Sequence, residues 1–229
     1  MSNSPVKKSS IIIKILLIVF GLTGLTFGFI NNSTSPFTSL LYFTVQSNIA
    51  IVLITIVFLV FDFVKLKNPQ FVIPNWLLIL KYIFTIGITL TFFVFLFILT
   101  PAIIYTNNVS LLFSINSICE HNIVPALAIL DWFLFDHYSK INLSTILYGL
   151  IFPIVYMFFA FFASGLGADF GEGAKFPYFF MDYVTQSWFN LGNGQIGVIY
   201  WIIFLIIIVL IIGWGLLRIN KAIYKKQLN

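Results

Sequence analysis

Six apolar stretches, each close to the roughly 20 residues needed to cross a bilayer, decide what this chain can become. They cover residues 11–30, 39–64, 76–100, 117–135, 145–162 and 196–217. The expected fold is all-α: a polytopic membrane protein with six transmembrane helices in one domain spanning residues 1–229. Composition agrees, since 60% of residues are hydrophobic, 8% are charged and the mean hydropathy is +1.05, far from soluble averages. The first stretch follows basic residues, as a signal peptide would. Its apolar core is long and no small-x-small cleavage site follows, so it reads as an uncleaved helix.

Basic residues set the expected orientation. Lys7, Lys8, Lys14, Lys65, Lys67, Lys81, Lys140, Arg218, Lys221, Lys225 and Lys226 all fall on one side of a six-helix arrangement, and Lys175 alone falls on the other. That asymmetry puts both termini in the cytoplasm. It also accounts for the net charge of +5 without a nucleic-acid partner. Lys14 and Lys81 lie near helix ends and are expected to snorkel to the headgroups.

A single cysteine, Cys119, excludes an intrachain disulfide and a cysteine-rich metal site. The longest connection, residues 163–195, is expected outside, as either a lid or a solvated connector. Gly24-x-x-x-Gly28 in the first helix lets another helix approach closely and reads as a packing device.

Against this apolar background two polar clusters stand out. Thr44-Val45-Gln46-Ser47-Asn48 opens the second stretch, and Cys119-Glu120-His121-Asn122 opens the fourth. Ionisable groups at membrane depth are costly and usually line a protected site. Both stretches run from outside to inside. Thr44 lies about six residues into one and His121 about five into the other, so both sit roughly 6–9 Å below their helix starts. If the two helices pack together, a hydroxyl meets an imidazole, the minimal nucleophile–base pair for attack on an acyl carbon.

Ser47 and Asn48 share the face of Thr44. Asn48 can donate to a developing oxyanion or order the site, whereas Gln46 points toward a neighbouring helix. The alternative for every one of these residues is interhelical hydrogen-bond glue. Glu120 can orient His121, but adjacent residues diverge by about 100° on a helix, so it can equally face the outer headgroups. Cys119 reads as a small hydrophobe rather than a thiol nucleophile. Asp131, about 15 Å along the axis from His121, is too distant to be its direct partner and suits a structural hydrogen bond or an interfacial position.

His137 lies about 24 Å from His121 along a continuous helix, so the two cannot share a metal or bracket one haem. A hard-cation site from Glu120, Asp169, Glu172 and Asp182 is conceivable at the outer surface, but loop acids are usually just solvated. No metal or cofactor is expected.

The chain resembles the family of androgen-induced-gene-one protein and androgen-dependent TFPI-regulating protein, in its bacterial six-helix branch. The resemblance rests on Tyr42-Phe43-Thr44-Val45-Gln46-Ser47-Asn48, on His121-Asn122-Ile123-Val124-Pro125 with Leu130-Asp131-Trp132, and on Phe176-Pro177-Tyr178-Phe179-Phe180-Met181-Asp182. It implies a threonine hydrolase cleaving fatty acid esters of hydroxy fatty acids, with Thr44 as nucleophile and His121 as base. On that reading Ser47, Asn48, Glu120, Asn122, Asp131 and Asp182 support the site, and the partner is a lipid drawn from a bacterial cell membrane. The rival expectation is a non-enzymatic transporter, channel subunit or lipid-binding scaffold, with Thr44, Asn48, His121 and Asp131 along a polar pathway. Polarity crowded at the outer helix ends, rather than at midplane, favours a one-sided site over transport.

Overall fold

The computed structural model describes residues 6–31, 36–136, 143–192 and 194–228. Six helices among them are long and apolar enough to cross a membrane, and the protein is a multi-pass helical membrane protein. We label them α1 (Lys8–Ile30), α2 (Phe43–Lys67), α3 (Asn75–Tyr105), α4 (Ile115–Phe135), α5 (Ser144–Gly165) and α6 (Val198–Leu228). His137 and Lys140 lie outside the described residues.

Helix boundaries differ from expectation where short turns intervene. Pro36–Ser39 forms a separate helical turn and α2 begins only at Phe43, so Thr44 lies in its first turn instead of six residues in. Three of the helices change winding just ahead of a proline. In α3 the turn Phe95–Leu99 is π-helical and Pro101 follows; in α4 the turn Cys119–Ile123 is π-helical and Pro125 follows. In α5 a 3-10 segment, Leu143–Leu150, precedes Pro153. Proline has no N–H and its ring crowds the carbonyl four residues back, so the preceding turn is rewound to relieve both.

Helices α1 to α4 pack as one group, with α1 against α2 and α4, and α3 against α2 and α4. Gly24 carries out the packing expected of it: a Cβ there would lie 2.9 Å from both Cys119 Cβ and Glu120 Cγ. Helix α6 packs against the 3-10 segment of α5, against α3 and against α4. Its C-terminal half is tied to α4 by Trp132 Nε1, which donates to the Leu216 carbonyl at 3.3 Å, and by Asn220 Nδ2, which donates to the Trp132 carbonyl at 3.0 Å.

The membrane-embedded lysines correct the snorkelling expectation. Lys14 and Lys81 are buried and joined to carboxylates from other helices. Lys14 Nζ lies 3.1 Å from Asp62 and 2.9 Å from Asp131, and Lys81 Nζ lies 2.6 Å from Asp131 and also meets Asp136. Ser10 bridges Lys14 and Asp62, and Lys81 sits 4.3 Å from the Phe58 ring centroid. Asp131 is therefore the centre of an ion-pair network linking α1, α2, α3 and α4. Burying charges in low dielectric requires such pairing, and it is why these side chains turn inward.

The connection between α5 and α6 is packed down onto the bundle. Phe170, Phe176, Phe180 and Met181 are buried, and the Tyr42 hydroxyl donates to the Phe170 carbonyl. Burial pushes the Tyr42 phenol above its ordinary pKa, with Asp169 and Glu172 adding to the shift, so it remains a donor. Glycines 167, 171 and 173 take positive φ, which turns the chain back over the helix ends at no Cβ cost.

Candidate functional site

Thr44 Oγ1 and His121 Nε2 lie 3.4 Å apart, so the structure brings together the two residues that helix arithmetic had put at similar depth. The separation is longer than an ideal hydrogen bond and within what unliganded catalytic pairs show. The other ring nitrogen fixes the tautomer. His121 Nδ1 lies 3.1 Å from the Ser117 carbonyl, which can only accept, so Nδ1 carries the proton and Nε2 presents its lone pair to Thr44. The Phe95 ring stacks on the imidazole at 3.9 Å between centroids and 12° between planes, which holds the ring orientation. Phe95 and His121 both belong to the π-helical turns, irregular winding that often accompanies functional sites.

Asn48 shows how the π turn is accommodated. Val124 N–H donates back five residues to Cys119, and the donor that π winding would bring to the Glu120 carbonyl is Pro125, which has none. Asn48 Nδ2 supplies it at 3.1 Å and also donates to the Thr44 carbonyl at 2.8 Å. Both amide hydrogens are thus used on carbonyls of the two site-bearing helices. Asn48 therefore orders the site, and no hydrogen is left for an oxyanion.

The remaining sequence candidates fall into distinct places. Ser47 Oγ lies 2.9 Å from the Thr44 carbonyl and 2.7 Å from Thr91 Oγ1, tying α2 to α3. Glu120 is buried and turned toward α1, where a Cβ on Gly28 would lie 3.1 Å from its Oε1; it faces neither His121 nor the headgroups. Asn122 is half-buried in the π turn, and its side chain makes no hydrogen bond among the described residues. Asp131 belongs to the ion-pair network at the other end of the bundle, so it supports the fold and lies far from Thr44. Asp182 caps the turn Tyr183–Gln186, accepting from the backbone of Val184 and Thr185. Gln46 Nε2 donates to the Leu40 carbonyl at 2.9 Å, within its own chain segment instead of to another helix. Asp169 Oδ1 accepts from Gly171 and Gly173 N–H, and no three metal-binding side chains converge among the described residues.

Next to Thr44 lies a cavity of about 110 Å³. It is bounded by α2, α3, α5, α6 and the connection between α5 and α6. Its wall is apolar apart from Thr44, Thr91, Tyr156 and Tyr178. From Trp201 to Val209 on α6 the wall runs about 12 Å toward the bilayer centre. The arrangement can hold an extended apolar chain with a polar junction at Thr44.

Tyr178 was not singled out as a site residue by sequence reasoning. It sits in an irregular connection where no periodicity assigns a face, and only its place in Phe176-Pro177-Tyr178 marked it. Its hydroxyl receives the Thr44 backbone N–H at 3.4 Å.

Fold and site together define a helical multi-pass membrane protein with a hydroxyl–imidazole pair whose threonine lines an apolar cavity. Compared with family models, curated proteins and solved structures, the chain matches none.

Proposed function

We propose that the protein is an intramembrane hydrolase that cleaves a lipid ester through Thr44 as nucleophile and His121 as general base. The observation that carries the reading is the tautomer: an imidazole whose Nδ1–H is held by the Ser117 carbonyl offers Nε2 to the Thr44 hydroxyl. Thr44 Oγ1 attacks the ester carbonyl while its proton passes to Nε2. The tetrahedral intermediate then collapses, Nε2 returns the proton to the departing alkoxide, and an acyl-threonine remains. Water, deprotonated by the same nitrogen, adds to the acyl carbon and releases the fatty acid and Thr44.

The cavity beside Thr44 suits the acyl chain, and the family resemblance suggests fatty acid esters of hydroxy fatty acids as the substrate class. The lysine and arginine asymmetry supports cytoplasmic termini, with Thr44 near the outer face. The resemblance favours a bacterial cell membrane.

The test is labelling of the purified protein by a fluorophosphonate, which traps activated hydroxyls, together with turnover of lipid esters. Wild type is expected to label and turn over. Thr44→Ala should abolish both, and His121→Ala should slow them by about 10²–10⁴-fold, the usual worth of a positioned base. Normal turnover by Thr44→Ala sinks the mechanism. A well-folded wild type that binds lipid without labelling or turnover would favour a lipid-binding scaffold.

A further inference from the structure

An acyl transfer to Thr44 needs donors aimed at the oxygen that becomes negative, and the side chains around Thr44 can be sorted by where their protons go. Asn48 has spent both amide hydrogens on backbone carbonyls. Tyr156 lines the cavity, and its hydroxyl donates to the Leu41 carbonyl at 3.1 Å. Thr91 Oγ1 faces the Gly87 carbonyl and shares the Ser47 hydroxyl. Tyr178 is the cavity-lining donor whose proton goes to no carbonyl among the described residues; its hydroxyl lies beside the neutral hydroxyls of Thr44 and Tyr156. A phenol oxygen is a weak partner compared with a developing alkoxide, because charge-assisted hydrogen bonds are about twice as strong as neutral ones.

The ring is held in place. It stacks on Phe180 at 5.1 Å and 4° and meets Tyr42 edge-on at 6.0 Å, so the hydroxyl is fixed over the start of α2. There it sits 3.4 Å from the Thr44 backbone nitrogen, which as a first-turn residue has no partner within its own helix. Burial pushes the phenol up to about 12, which keeps it a neutral donor at ordinary pH.

We propose that the Tyr178 hydroxyl, with the Thr44 backbone N–H beside it, binds the oxyanion formed when Thr44 takes up an acyl group. The proposal rests on the reading of Thr44 as nucleophile and adds a catalytic residue from outside the helices. As Oγ1 bonds to the acyl carbon, the carbonyl π electrons move onto its oxygen. Tyr178 turns its proton from its neutral hydroxyl neighbours to that oxygen without giving it up. The Thr44 N–H turns from Tyr178 to the same oxygen, and both donors return when the intermediate collapses.

The experiment uses the full chain in lipid nanodiscs, with a p-nitrophenyl ester of a medium-chain fatty acid as probe. Tyr178→Phe should lower kcat about 10²-fold, as loss of one oxyanion donor does, with KM and thermal unfolding close to wild type. A kcat within about threefold of wild type, while Thr44→Ala is inactive, overturns the oxyanion role and leaves the nucleophile standing. Thr44→Ala turning over like wild type, or wild type failing to turn over, removes the nucleophile reading and this proposal with it. Difluorotyrosine at position 178 covers the case in which Tyr178→Phe misfolds. It keeps the ring and lowers the phenol pKa, so the alkaline fall of kcat should move to lower pH by the drop in that pKa. An unmoved alkaline limb overturns the proposal.

Discussion

At the scale of single residues, the site depends on where a few hydrogens go. Asn48 is the sharpest case, because it stands in for the N–H that Pro125 lacks. Asn48→Leu keeps the volume and removes both donors, leaving the Glu120 carbonyl buried without a partner. The expected cost is about 1–3 kcal/mol, read as a lower unfolding midpoint in detergent, with activity falling as His121 loses its placement. A midpoint unchanged from wild type would mean that the carbonyl finds another donor. Thr44 and His121 were legible in the sequence because an imidazole and a run of amides are rare at membrane depth in so apolar a chain, and helix geometry put the two residues at similar depth. The role of Asn48 was legible only as a pair of alternatives, since the π turn that decides between them comes from the proline and the winding it imposes. Lys14 and Lys81 were misread for a related reason. A lysine near a helix end can reach the headgroups or a carboxylate, and the partner Asp131 lies 50 residues from Lys81 in the chain.

At the scale of elements, the helices are regular in length and irregular in winding. The six spans were readable from length and hydropathy alone, because the bilayer fixes how long an apolar helix must be. What the pattern lacked was their irregularity: the late start of α2, the π turns of α3 and α4, and the folded connection after α5. Helix α1 meets the site-bearing helix through a glycine surface, where Gly24 takes the close approach of Cys119 and Glu120. A Cβ at 2.9 Å from two carbon atoms forces the helices apart. Gly24→Val should therefore destabilise the protein by about 1–3 kcal/mol, the usual range for overpacking. The displacement reaches His121 through the adjacent Glu120, so phosphonate labelling at Thr44 should slow as well. Labelling and melting at wild-type levels would show that α1 can retreat without moving α4.

Across the whole molecule, polarity divides by depth. The hydroxyl–imidazole pair occupies one end of the bundle, and the network of Lys14, Asp62, Lys81, Asp131 and Asp136 occupies the other. Lys81→Met strands the buried Asp136 carboxylate and leaves Asp131 with Lys14 as its ion-pair partner among the described residues. Breaking such a pair from one side costs about 3–5 kcal/mol, so the variant should melt well below wild type or fail to accumulate in the membrane. Equal thermal stability would show that the carboxylates take up protons without cost to the fold.

Among the described residues that network joins the first four helices and takes no charge from α5 or α6, whereas the cavity is walled on one side by α2 and α3 and on the other by α5 and α6. The cavity therefore lies along a seam between a cross-braced half and a half held by apolar contact. Helix α6 is fastened to α4 by hydrogen bonds in its C-terminal half, and α5 to the chain before α2 through Tyr156. Swelling of the space between them breaks no ion pair among the described residues. Widening it costs dispersion contacts between side chains and no buried charge, so this space is the softer part of the bundle.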